Sequence, residues 1–457
     1  MPEATSLALR TPSPDTRTIR SQVLQLAWPV MAETFLQTLT QIVSMALVGH
    51  LGATAVTSVG LSMQPLNMLY GVFQGAGVAT TAIVARAIGA GNRDEAARAA
   101  AQAIMLSTLI ALAAALVIFT NAEGIVVWMG AEPAVIKEGT RYLLIMTPGL
   151  FVMWISTVLT GALRGAGDTR TPMKVNIMIS LISFAGNLVL VYGLLGFPAM
   201  GVFGAGLATT AARLAGGIVL FVPYLLGRAT LPARFPSDFK WDASLMGRVL
   251  KIGVPGAGER LVMSVSMLFY ARMVAGLGSV PYAAHTIGIN AESISYMPGQ
   301  AFAVASTTLV GQSLGAGRPD LADKSTYQAL LMSCILVGSM GVAFLSFPEY
   351  LMRMYTTDPE VIRLGAVYLR MMAFCQIHQA FGFVFLGAIR GAGDARFVMW
   401  VTAFSAWALR LGITYLLIGV VKTGVVGAWW AMAVDGLFKG IAGWLWFRTG
   451  RWKRAVV

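Results

Sequence analysis

The chain has 457 residues, 57% of them hydrophobic and only 12% charged. Soluble domains carry about 25% charged residues, so half that proportion over this length excludes an ordinary soluble protein and points to a chain that lives in lipid. A formal net charge of +13 would suit a nucleic-acid binder in a soluble chain; in a membrane chain it is the Lys and Arg that gather in cytoplasmic loops, and no nucleic-acid partner is expected.

Residues 1–20 lack the apolar centre of a secretory signal and read as a flexible cytoplasmic tail. A helix needs about 20 mostly apolar residues to cross a bilayer core of about 30 Å. Apolar runs between Gly, Pro and charged breaks predict six such helices at 22–47, 56–85, 95–119, 135–163, 171–196 and 201–226. They form an N-terminal bundle over 21–226, and a polar linker follows at 227–244. Six more helices, at 245–275, 281–313, 321–346, 358–389, 396–421 and 425–448, form a C-terminal bundle over 245–448, with a basic tail at 449–457. The predicted fold is an all-α membrane protein of twelve transmembrane helices in two parallel, pseudo-symmetric bundles.

The charges sort between alternate loops. Arg86, Arg93, Arg98, Arg164, Arg170, Lys174, Arg228, Lys240, Arg318, Lys324, Arg390 and Arg396 share one side with Arg10, Arg17, Arg20 and the C-terminal Arg451, Lys453 and Arg454. The other side holds fewer bases, among the acids Glu123, Glu132, Glu138, Glu349, Asp358 and Glu360. The positive-inside rule then places both termini in the cytoplasm of a multi-pass protein of the cell membrane, and an even number of crossings agrees.

The chain repeats itself. "RGAGDTRTPM" (Arg164 to Met173) returns as "RGAGDARFVM" (Arg390 to Met399), and Asp168 and Asp394 are 226 residues apart. The same offset joins Pro29 to Pro255, Glu33 to Glu259, Tyr70 to Tyr296, Gln74 to Gln300 and Tyr142 to Tyr368. This is an internal duplication whose copies both begin and end inside, a transporter plan in which two halves rock about a midplane site. In the repeated phrase, Gly165 and Gly167 suit the positive φ that ends a helix, Asp168 can cap the next one, and Arg164 would hold the turn at the anionic membrane surface.

An ionisable residue within a transmembrane helix is a functional candidate by default. Glu33 heads a polar stripe with Gln37, Gln41 and Ser44 on the first helix; Glu259 repeats it, followed by Met263, Ser266 and Tyr270. The two acids could face each other across the pseudo-twofold, or each could merely serve the bend at the proline one turn before it. Glu292, Tyr296 and Gln300 share one face of the eighth helix, with Leu66, Tyr70 and Gln74 as counterparts. Asp435 and Lys439 are spaced for an ion pair, and Asp435 is also a candidate partner for Arg410. Asn187 and Thr209 could coordinate an ion or simply bond between helices; Arg213 needs an acidic or carbonyl partner. Catalysis looks poor. His50, His285 and His378 do not cluster, Cys375 and His378 lack further ligands, and Cys334 and Cys375 both fall inside helices. No catalytic residue, metal site or cofactor is expected.

The phrases "LAWPVMAETFLQTL…LVGHLGA", "AAHTIGINAESISYMPGQAFAVASTTLVGQSLGAG" (Ala283 to Gly317), "GVFGAGLATT" (Gly201 to Thr210) and the twin RGAGD turns resemble the multidrug and toxic compound extrusion (MATE) family, bacterial type. The resemblance implies a V-shaped, monomeric antiporter that expels drug-like, often cationic and amphipathic compounds while Na+ or H+ enters. Acids that the family often carries are replaced here by Ser44, Val191 and Met263, and in the tenth helix Gln376, His378 and Gln379 are the nearest polar groups to an acid it can carry there. That leaves Glu33, Glu259, Glu292 and Asp435 as coupling-ion candidates. Gln37, Gln41, Ser44, Tyr70, Gln74, Asn187, Thr209, Met263, Tyr270, Tyr296, Gln300, Gln376, His378 and Arg410 are the candidates for the substrate cavity. The rival reading is a flippase for lipid-linked oligosaccharide or cell-wall precursors of the same superfamily.

Overall fold

The computed structural model describes residues 15–49, 53–234 and 236–455. Arg10, His50 and most of the expected N-terminal tail lie outside the described residues. The architecture consists of twelve long helices: α1 (Thr16–Gly49), α2 (Ala53–Gly89), α3 (Arg93–Trp128), α4 (Pro133–Gly165), α5 (Arg170–Tyr192), α6 (Gly201–Leu225), α7 (Ala243–Ala275), α8 (Ser279–Gly315), α9 (Pro319–Ser346), α10 (Pro359–Gly391), α11 (Ala395–Val420) and α12 (Val425–Thr449). Among the described residues nine of them are long and apolar enough to cross a membrane; α1, α7 and α8 fall short. These three carry Glu33, Glu259 and Glu292, so the helices least suited to lipid are those with acids to bury against protein.

Several boundaries differ from those expected. α1 starts at Thr16, so Arg17 and Arg20 belong to the helix, and Arg20 Nε donates to Gln328 Oε1 on α9 at 2.7 Å. α3 runs on to Trp128 but bends at Asn121, whose backbone leaves the helical region (φ −128°, ψ 21°) just past the expected end at 119; at the bend Thr120 Oγ1 donates to the Leu116 carbonyl at 2.8 Å and Asn121 Nδ2 to that of Val117 at 3.2 Å. α5 stops at Gly193, whose φ of 74° ends the helix. A short helix, Pro348–Arg353, joins α9 to α10. Within α11, Ser405–Leu411 and Tyr415–Val420 are wound as π-helix, a widening that often accompanies functional positions.

The two halves pack alike and trade their first helices. α1 lies on α5 of its own half and on α8 and α9 of the other; α7 lies on α11 of its own half and on α2 and α3 of the other. On α1 the residues packed against the second half run from Ile19 to Met31. The halves are joined at the end that carries the termini. There Gln312 Nε2 of α8 donates to the Gly165 carbonyl at 2.9 Å, and Thr308 Oγ1 to that of Arg164 at 3.1 Å. One repeat away, Arg86 of α2 donates to the Ala392 carbonyl at 3.3 Å. The twin RGAGD turns thus receive bonds from opposite halves.

The turns form with one correction: Gly165 stays helical as the last residue of α4, where it packs against the Thr81 carbonyl, and the positive φ falls on the second glycine alone. Gly167 and Gly393 have φ of 88° and 95°. Asp168 Oδ1 accepts from the amides of Arg170 and Thr171, and Asp394 Oδ1 from that of Phe397. Past α12, residues Arg451–Arg454 form a 3₁₀ turn that folds back on the bundle. Trp452 is fully buried and stacks on Phe447, Lys453 pairs with Asp323 of α9 at 2.5 Å, and the Ala455 carbonyl accepts from Arg86 Nη1 at 2.6 Å.

Candidate functional site

The first candidates, Glu33 and Glu259, are both buried, and both are spent on arginines of their own half. Arg164 Nη2 donates to Glu33 Oε2 at 2.8 Å, and Asn176 Nδ2 to Oε1 at 2.9 Å. In the second half Arg390 grips Glu259 through Nε and Nη2, and Thr402 Oγ1 donates to Oε1 at 3.4 Å. Asn176 and Thr402 are again one repeat apart. Arg164 and Arg390 therefore turn inward from the ends of α4 and α10; they do not reach out to the membrane surface as the sequence suggests. The proline reading also has content: Pro29 leaves the Gln25 carbonyl without its helical donor, and Thr169 Oγ1 takes it at 3.4 Å.

Further along α1, Gln37 Nε2 donates to Asn176 Oδ1 at 3.1 Å, and Ser44 Oγ accepts from Asn187 Nδ2 at 2.9 Å. Gln41 is exposed. The stripe thus follows α5, where Asn187 Oδ1 remains buried without a partner. Thr209 on α6 meets Ser183 Oγ at 3.5 Å. The duplicated Tyr–Gln pairs close on themselves: Gln74 Nε2 donates to Tyr70 Oη at 2.6 Å and Gln300 Nε2 to Tyr296 Oη at 3.1 Å.

Two polar clusters are confined to the second half. Buried Glu292 on α8 accepts a hydrogen bond from Tyr368 Oη at one oxygen and from Gln379 Nε2 at the other, the latter at 2.6 Å. Among the described residues no Lys or Arg stands within salt-bridge distance of it. The second cluster centres on Asp435 of α12, which pairs with Arg410 on the π-wound part of α11 and with Lys439 at 3.0 Å, and accepts from Ser405 Oγ. Both partners foreseen for Asp435 are present together. Arg410 also touches Met267 Sδ at 3.7 Å and lies 5.9 Å over the Tyr270 ring, while Tyr270 Oη donates to the Ala428 carbonyl at 2.9 Å.

Other candidates are placed elsewhere. Gln376 is fully buried against Gly341 of α9, with neither amide atom bonded. His378 is exposed, and Cys375 Sγ donates to the Met371 carbonyl. Met263 is half-buried on α7. Among the described residues no three metal-ligating side chains come together.

Sequence reasoning missed the roles of Tyr368, Arg164 and Arg390. A signal was available: each arginine follows its glutamate by 131 residues in both copies, so acid and base repeat as a pair.

A family model described as MatE matches residues 29–189 and again 255–416, the two copies in turn. The "probable multidrug resistance protein NorM" of Thermotoga maritima is 33% identical over 98% of this chain and 96% of its own length. The "multidrug resistance protein MdtK" of Yersinia pestis is 27% identical over 86% of this chain and 87% of its own. A solved "outward-facing conformation of a multidrug resistance MATE family transporter of the MOP superfamily" superposes with a TM-score of 0.89 over 96% of this chain and 97% of its own, at 21% identity, a likeness of fold.

Proposed function

The chain belongs to the MatE family of transporters, and from that premise we propose that it is a secondary active multidrug efflux antiporter, exporting drug-like organic compounds from the cleft between its halves in exchange for inward protons. Members of this family are transporters, not enzymes. The crowding of Lys and Arg in loops on the terminal side supports a cell-membrane protein with both termini in the cytoplasm. The sealed ends of the halves are then cytoplasmic and the V opens outward. Alternating access consists of breaking that seal while the opposite ends close.

The observation that carries the coupling is the state of Glu292. Of the four interior carboxylates named above, Glu33, Glu259 and Asp435 are each held by an arginine. Glu292 has two neutral donors, Tyr368 and Gln379. It can therefore take up or release a proton with no salt bridge to break, and each change of its charge is felt directly by the α8–α10 contact. The other three acids are proposed as fixed parts of the frame.

The test is extrusion of ethidium and of 5-carboxyfluorescein from proteoliposomes, with pH and sodium gradients imposed separately. The pH gradient alone drives export, and Glu292→Gln reduces it to the leak rate while dye binding persists. Export by Glu292→Gln that still follows the pH gradient overturns the assignment of Glu292; export driven by neither gradient overturns antiport.

A further inference from the structure

Arg213 is a charge the coupling scheme does not use. It is the middle residue of the 25-residue α6, about 18 Å of helix from either end at about 1.5 Å per residue, and so at the centre of a bilayer core about 30 Å thick. α6 otherwise packs through small residues: Gly206 against Tyr142 and Ile145, and Gly217 against Val152 of α4. Arg213 rises from that same face. Its Nη1 is buried with no hydrogen-bond partner, and among the described residues no carboxylate reaches it. Among the described residues neither an acid nor a carbonyl partners Nη1, where one or the other was expected.

The second half shows what neutralisation of such a cation requires. There Arg410 and Lys439 converge on Asp435. Gly217 lies against Val152, and Gly440 lies against the backbone of His378; residues 152 and 378 are one repeat apart, which aligns α6 with α12. By that alignment Ala212 stands where Asp435 is and Gly216 where Lys439 is. The remaining interior acid of the first half, Glu33, is already taken by Arg164 and Asn176.

An unpaired guanidinium in mid-membrane is costly, and such groups mark the paths of substrates and ions. A planar guanidinium binds carboxylate, sulfonate or phosphate oxygens in pairs. We propose that the interior of the first half is an oxyanion site centred on Arg213, which receives the acidic group of an amphipathic organic compound. The site rests on the transport reading for its purpose, and it extends that reading to substrate class: compounds with a carboxylate or sulfonate are handled as well as cations. Proton and anion are carried in different halves, at Glu292 and Arg213, so the two loads are linked by the rocking of the halves and not by contact.

The experiment measures equilibrium binding of 5-carboxyfluorescein, with ethidium as the cationic control, to the full chain in phosphatidylcholine nanodiscs. Arg213→Gln weakens carboxyfluorescein binding about tenfold or more, the scale of a lost charge-assisted hydrogen bond, and leaves ethidium binding unchanged. Arg213→Lys, which keeps the charge, retains most of the affinity and shows that a loss in the glutamine variant is not misfolding. Adding phosphatidylglycerol separates the sources of the anion. Competition in the wild type means that a lipid headgroup also fills the site, and its absence means that the site selects soluble anions; each is oxyanion binding at Arg213. Equal carboxyfluorescein affinity in wild type and Arg213→Gln overturns the site while leaving proton-driven export intact. Loss of gradient-driven export with Arg213-dependent binding preserved overturns the transport reading and not the site.

Discussion

The twin ion pairs Glu33–Arg164 and Glu259–Arg390 set the chemistry at the scale of single residues. Removing one member of a buried pair leaves a charge without a counterpart, which costs about 3–5 kcal/mol, whereas removing both members together is far milder. Arg164→Gln and Arg390→Gln are therefore each expected to lower the thermal midpoint of the detergent-solubilised protein more than the matching double variants Glu33→Gln/Arg164→Gln and Glu259→Gln/Arg390→Gln. Double-mutant cycles read by fluorescence-detected melting check this; additive effects would mean that the pairs carry no coupling energy. The acids were legible in the sequence, since a carboxylate repeated one turn after a repeated proline stands out among apolar residues. Their partners left a single trace, the 131-residue spacing repeated in both copies, and it is the helix arrangement that brings them together. The same arrangement brings Tyr368 and Gln379 to Glu292.

At the scale of the helix, close approach governs. Gly161 of α4 lies against the backbone of Gly77 on α2, and its repeat, Gly387 of α10, would place a Cβ 2.6 Å from the Ala303 carbonyl oxygen on α8. In both places a threonine bridges the same helices: Thr81 Oγ1 donates to the Gly161 carbonyl and Thr307 Oγ1 to that of Gly387, each at 2.8 Å. Gly161→Ala and Gly387→Ala should each destabilise the protein by about 1–3 kcal/mol through overpacking. Gly124→Ala, which meets open space on α3, should leave the melting temperature unchanged or raised. Thermal melts of the three variants decide it. The number of helices could be read from hydropathy, but several ends could not. Thr120 and Asn121 do mark a break, since the Asn121 backbone leaves the helical region, but the chain resumes as helix beyond it and their side chains bond back to the turn before the kink. The π-wound stretches of α11 leave no mark in an apolar sequence.

At the scale of the molecule, function depends on relative movement of two halves held at one end. Ala79 of α2 and Gly253 of α7 belong to different halves, and a Cβ on Gly253 would lie 3.8 Å from that of Ala79, close to the mean spacing of a disulfide. With Cys334 and Cys375 replaced by serine, Ala79→Cys/Gly253→Cys is expected to cross-link on oxidation and to stop export until a reductant is added. Full transport by the cross-linked protein would show that this seam does not open in the cycle. The duplication made the two halves legible, since one offset held through so many matches. The asymmetry between them is chemical. Asp435, Lys439 and Glu292 have no charged counterparts in the first half, and among the described residues no acid pairs with Arg213.

The 3₁₀ turn after α12 bears on how the protein is handled. The carbonyl of Ala455, the residue after it, receives Arg86 from the opposite half, and Trp452 and Lys453 anchor the turn to the bundle. Residues 451–455 thus act as a latch across the seam, so a purification handle fused directly after Val457 would pull on the bolt of the door it was meant only to label. A handle placed ahead of Met1, or a long soluble spacer at the other end, leaves that bolt free to slide.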